Sequence, residues 1–143
     1  LRNPSEYGNL LKGNSWNNAF DSLAEYMETS YYESGTSDDN VADAYRLYFD
    51  EVGLSCQAWL FSGTNNGRYI VNELNNDRPC HLIVHNHYMY GDHSVLAVGY
   101  AEYRYGNSYS TYIRIADGWT NYPSRYVWGA CYGTWKYVVV IPD

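Results

Sequence analysis

A chain of 143 residues is one domain's worth and buries roughly two thirds of its unfolded surface. With 9 Lys+Arg against 16 Asp+Glu its formal net charge is -7, which repels a phosphate backbone or an anionic bilayer, so no nucleic acid and no membrane is expected as a partner. No apolar run approaches the roughly 18 residues of a membrane span, and 18 tyrosines against 3 phenylalanines with few lysines suit a secreted, extracellular protein.

In chain order, Ser15 caps a helix over about Asn17 to Glu28, whose Trp16, Phe20, Leu23 and Met27 recur at helical spacing as a face for the core. Residues 31–36 read as a loop. A second helix starts from Ser37-Asp38-Asp39, carries Val41, Ala44, Tyr45, Tyr48 and Val52 on one face, and stops at Gly53. A strand near Cys56 to Phe61, a turn at Gly63 to Gly67 and a short helix over Tyr69 to Leu74, ended before Pro79, follow. The rest reads as antiparallel strands at roughly 80–87, 94–104, 109–117 and 135–141, with Gly106-Asn107 as the clearest hairpin turn. Helices in the N-terminal half and an antiparallel sheet in the C-terminal half make an α+β fold, expected as a single domain over 1–143 without linker or repeat.

Two strand ends carry chemistry. His93 follows the turn-forming Gly91-Asp92 and precedes the apolar run Ser94-Val95-Leu96-Ala97-Val98, a rigid mount for a general base. Asp117 ends the strand Tyr112 to Ala116, and Gly118-Trp119 turns the chain and lays an indole beside the carboxylate. A thiol-peptidase site needs a thiol, an imidazole that takes its proton and a third group that fixes the imidazole's tautomer and tilt. His93 and Asp117 suit the last two roles, with Trp119 in support. Asp92 does not suit the third, because successive strand side chains point to opposite faces.

At these residues the chain resembles the papain-like cysteine peptidases, whose base lies in Asp-His-Ala-Val-x-x-Val-Gly-Tyr and whose orienter lies in Asn-Ser-Trp or Asp-Pro-Trp. Here these segments read Asp92-His93-Ser94-Val95-Leu96-Ala97-Val98-Gly99-Tyr100 and Asp117-Gly118-Trp119. Among the branches it looks most like secreted bacterial enzymes related to bacteriocin-leader peptidases, echoed by Leu23-Ala24-Glu25-Tyr26-Met27-Glu28-Thr29, by Gly35-Thr36 and by Asn75-Asn76-Asp77-Arg78-Pro79. The similarity runs from about Trp16 to the C-terminus. It implies a papain-like fold and thiol-dependent hydrolysis of peptide bonds by a Cys-His-Asp arrangement, acting on a peptide or protein substrate without a cofactor.

The family's nucleophile stands at the N-terminus of a helix upstream of the histidine, and no cysteine here has that place. Cys56 and Cys80 read as small core hydrophobes within strands. Cys131, among glycines, is followed by a strand and not by a helix. Ser15 in Gly13-Asn14-Ser15-Trp16 resembles the nucleophile segment with serine for cysteine, but the Tyr-Met-x-Thr echo makes its helix the second of the family pattern, which favours the N-cap. The resemblance therefore implies the C-terminal part of a peptidase domain, whose cysteine and oxyanion-hole glutamine come from an N-terminal segment or chain. This chain alone is then inactive.

The alternative is a papain-like module that binds peptide or glycan without chemistry. A zinc hydrolase, suggested by His85-Asn86-His87 and Asp92-His93, fails on spacing, because four residues separate His87 from Asp92 and no further histidine follows, so no metal site is expected. Alternation places His81, His85 and His87 on one strand face; the first two read as ordinary strand residues, and His87 as either that or a cleft residue. Asp38, Asp39, Asp50 and Glu51 read as helix-cap and surface charges.

Overall fold

The computed structural model describes residues 10–30, 35–63, 65–120, 122–128 and 135–143. Cys131 and most of the expected loop at 31–36 lie outside the described residues. Contacts gather the chain into two compact units, one running to Trp59 and taking in Val140–Asp143, the other spanning Leu60–Val139. The class is α+β: three α-helices and six strands among the described residues.

In the first unit a short 3-10 turn, Lys12–Asn14, leads into helix α1, Trp16–Tyr26. Ser15 is its N-cap, the hydroxyl accepting from the Asn18 amide at 3.4 Å, a local job that needs no nucleophilic role. The expected apolar face of α1 is only partly the buried one: Leu23 packs against the core and Met27 is half-buried, but its first two members are not covered. Trp16 is 72% and Phe20 62% exposed, while Ala19 and Ser22 are buried. Ala19 packs with Tyr48 and Phe49 of helix α2, Asp38–Glu51, so the small residues of α1 meet the large ones of α2. Lys12 ties the two helices, donating to the Ser22 hydroxyl at 3.1 Å and pairing with Glu51. Helix α2 ends as expected: Gly53 takes φ 74° and the Leu54 amide reaches back to the Phe49 carbonyl at 2.9 Å.

Strand β1, Cys56–Ser62, precedes helix α3, Arg68–Asn75, which begins after Gly67 at φ 85° and buries Ile70. Four further strands follow in the second unit: β2 Cys80–His87, β3 Gly91–Tyr105, β4 Ser108–Ala116 and β5 Arg125–Trp128. With β6, Lys136–Pro142, the sheet order is β1-β6-β2-β3-β4-β5. The pairs from β6 through β2, β3 and β4 to β5 are antiparallel. Tyr105 opposite Ser108 closes the two-residue Gly106-Asn107 turn, Gly106 at φ 59°. The buried face collects Leu82, Val84, Val95, Ala97, Ile113, Ile115 and Val127. Helix α3 lies against β3, where the Tyr100 hydroxyl donates to Asn75 Oδ1 at 2.9 Å.

Two bulges interrupt the ladder. One lies between Val84 and His87, where Asn86 has φ 51°; the other inserts an extra residue between Ala97 and Gly99. The first breaks the alternation expected to align His81, His85 and His87: His87 is buried, whereas His85 is half-buried beside Asp92.

Leu82, fully buried between β3 and β6, should lose about 2–5 kcal/mol of stability on change to alanine. The same change at Leu96, which is 40% exposed, should cost about 0.5 kcal/mol. Urea unfolding of both variants checks the contrast.

Candidate functional site at the end of strands β3 and β4

His93 pairs with Val84, so strand alternation puts its ring on the face of Val95 and Ala97. Asp117, one residue beyond β4, continues the face of Ile113 and Ile115. Residues 93 and 117 are thereby brought together, and the joining atoms are His93 Nε2 and the main-chain carbonyl oxygen of Asp117, 3.0 Å apart. A carbonyl only accepts, so Nε2 carries the proton and Nδ1 holds the lone pair of the neutral ring.

The Asp117 carboxylate, expected to grip the imidazole, is committed elsewhere. Its Oδ1 accepts from the Trp119 amide at 3.0 Å, the Thr120 amide at 3.2 Å and the Thr120 hydroxyl at 3.3 Å. Its Oδ2 accepts from the Tyr90 hydroxyl at 3.0 Å and pairs with Arg125 Nε at 3.3 Å. The reason is local: an Asp followed by Gly118 at φ 75° folds onto the amides two and three residues ahead, which aims the carboxylate away from β3. Burial alone would push this carboxyl up, but the Tyr90 hydroxyl, the two amides and the Arg125 guanidinium together hold it below the ordinary carboxylate value.

Two rings pack against the imidazole and against each other. Tyr90 stacks on His93 with centroids 5.7 Å apart and planes 10° from parallel. Trp119, 55% exposed, is 5.1 Å from His93 and 4.9 Å from Tyr90, so the indole expected beside the carboxylate is also in contact with the imidazole. Tyr90 is itself 8% exposed, held by its bond to Asp117 and by a second histidine. His87 Nδ1 accepts from the amides of Met89 and Tyr90 at 3.2 and 3.3 Å, and its ring lies 5.0 Å from Tyr90 and 5.8 Å from Trp135. Its burial lowers the His87 pKa, so the neutral ring caps the turn between β2 and β3. Of the two roles open to His87, the structure places it in a structural one.

Tyr90, Thr120 and Arg125 were not legible as site residues. Tyr90 adjoins the Gly91-Asp92-His93 segment, but one tyrosine among 18 carries little signal.

The described cysteines are not activated thiols. Cys80 is fully buried on β2 and its thiol is pushed up to about 12, chiefly by burial. Cys56, in the first unit, is half-buried, donates toward the Tyr45 carbonyl at 3.8 Å, and is also shifted up by burial. Among the described residues no three His, Cys, Asp or Glu side chains converge as a metal-binding group. No family model matches the chain, and no curated protein or solved structure matches it.

Two titrations follow from this geometry. A depressed carboxyl contributes stability above its ordinary value of 3.8 and loses it as the pH falls through the lower folded value. Asp117→Asn should therefore be less stable than the parent at pH 7, with the gap closing below pH 3.8, as thermal melts across pH will show. His87, lowered from 6.5, contributes its full share above pH 6.5 and loses it as acidification proceeds from there through the depressed value. Melting temperature should fall over that window in the parent and fall less in His87→Gln.

Proposed function

We propose that this chain is the base-bearing part of a papain-like cysteine peptidase domain, secreted and bacterial in type, and that it acts on peptide or protein substrates. The observation that carries the reading is the His93 ring, anchored through Nε2 to the carbonyl of residue 117, stacked on Tyr90 and in tilted contact with Trp119, with Nδ1 left as the basic nitrogen. An imidazole fixed in one tautomer on a strand end is what a general base needs.

In this mechanism the nucleophilic cysteine, and the donor for the oxyanion, come from an N-terminal segment or partner chain. His93 Nδ1 takes the thiol proton, and the thiolate adds to the peptide carbonyl. The C–N bond breaks as His93 returns the proton to the leaving amine, leaving a thioester. Water, deprotonated by His93, then hydrolyses the thioester and regenerates the thiol. The main-chain carbonyl takes the place of a side-chain orienter, and Asp117 acts through its main chain on His93 and through its carboxylate on Tyr90 and Trp119. Cys80 and Cys56 do not supply the thiolate, since both are shifted away from ionisation.

One observation favours a second reading, a papain-like module that binds without chemistry. The carboxylate of Asp117 accepts five contacts from four neighbouring residues, and none of them is the imidazole. The ion formed when His93 accepts a proton then faces a carbonyl dipole and not a full negative charge.

Labelling of the natural full-length protein with a thiol-directed peptidase inhibitor separates the two. The peptidase reading expects one modified cysteine, located by mass spectrometry, and a labelling rate that falls about 100-fold or more in His93→Ala. Labelling that is absent, or equally fast in the variant, leaves the binding module.

A further inference from the structure

A groove of about 510 Å³ opens on the second unit at the hairpin end of β3 and β4, far from His93. Glu102 lies nine residues beyond His93 on β3, roughly 30 Å at the rise of a strand. Asn65, Asn66 and Arg68, from the turn before α3 and its first residue, form one wall. Both asparagines are left-handed, at φ 47° and 55°, and the Arg68 amide closes the turn on the Asn65 carbonyl at 3.1 Å. Glu102 and Tyr109 stand opposite, Glu102 accepting from the Thr111 hydroxyl at 3.3 Å, and Arg104 lies over the Tyr109 ring at 5.6 Å.

Trp128 lines the groove and also begins a row of rings on the outward sheet face. It is opposite Tyr112, and Tyr112 meets Tyr103 edge to face with centroids 5.6 Å apart. Trp128 is 45% and Tyr103 64% exposed, and by strand alternation Tyr103 and Tyr112 lie on the sheet face opposite to Glu102, Thr111 and Tyr109, outside the groove.

We infer that this groove binds an uncharged oligosaccharide. The walls offer donors and acceptors in mixture, amides, hydroxyls, a carboxylate and a guanidinium, which matches a ligand whose groups both donate and accept, as sugar hydroxyls do. The Tyr109 phenol and the Trp128 indole of the lining suit the apolar C–H face of a pyranose. Competing ligand classes fit less well. Arg68, the cation of the lining, is offset by Glu102, and the chain's net charge of -7 disfavours a polyanion. An apolar peptide side chain would leave the amides and charges of the walls desolvated and unpaired. The site shares no residue with the His93 cluster, so the inference stands or falls apart from the peptidase reading.

Saturation-transfer NMR with chitotriose, cellotriose and maltotriose, each at about 10 mM, tests it. At least one trisaccharide should bind, and Trp128→Ala and Glu102→Gln should each weaken it about tenfold, a loss of about 1.4 kcal/mol. Trp16→Ala, an exposed tryptophan on α1, should leave binding unchanged. Thermal melts show whether each variant is folded; if Trp128→Ala is not, Glu102→Gln decides. Failure of all three sugars to bind overturns the inference, as does binding indifferent to the groove variants, a loss shared by Trp16→Ala, or preferential binding of trialanine.

Discussion

The buried carboxylate of Asp117 is the constraint on which the functional end of the sheet depends. Taking an anion out of water is unfavourable unless every lone pair finds a donor, and here the donors come from three segments. The Tyr90 hydroxyl comes from the turn between β2 and β3, the Trp119 and Thr120 groups from the turn after β4, and the guanidinium from β5. One anion therefore fixes two turns and an edge strand. The pieces that it fixes, Tyr90 and Trp119, are the rings packed against His93 and against each other. The carboxylate thus shapes the imidazole's surroundings without touching it.

That division of labour has a chemical consequence. A carboxylate beside an imidazole would orient it and also balance the charge that forms on protonation. A carbonyl orients it as well, since it accepts the Nε2 proton and fixes the tautomer, but it offers only a dipole to the imidazolium. Ring stacking supplies the rest of the positioning. His87 extends the same logic one layer outward: a neutral, buried imidazole holds two amides of the turn that delivers Tyr90, so its protonation would undo the turn from behind.

Features whose cause is local were legible in the sequence. Ser15 caps α1, Gly53 ends α2 and Gly106-Asn107 turns a hairpin, because caps, left-handed stops and two-residue turns are set by the residues that form them. The meeting of residues 93 and 117 was legible too, since both end apolar strands of matching alternation. The joining atom was not, because the side chain of Asp117 answers to amides two and three residues ahead, a preference that competes with any contact across strands. The buried face of α1 was misread in part, Leu23 packing as expected, for a related reason. Hydrophobicity points to Trp16 and Phe20, but close approach to Tyr48 and Phe49 selects Ala19 and Ser22. Strand β5 was missed because four residues, Arg125 to Trp128, are too few to display a period.

The bulge between Ala97 and Gly99 explains how one strand serves two ends of the unit. Up to Ala97 the odd residues His93, Val95 and Ala97 face the core; past the extra residue the even ones take over, Tyr100 opposite Ile113 and Glu102 opposite Thr111. Without that insertion Tyr103 would turn inward and Glu102 outward, dismantling both the polar wall and the ring row. At the residue that follows the insertion, a Cβ on Gly99 would come within 3.2 Å of Arg114 Nε, so a larger residue there requires the Arg114 side chain to give by a few tenths of an ångström. A one-residue irregularity in the middle of β3 therefore places an imidazole and a carboxylate on the same face at opposite ends of the strand. The fully or nearly buried Val95, Ala97, Ile113 and Ile115 between them give both ends a common rigid support.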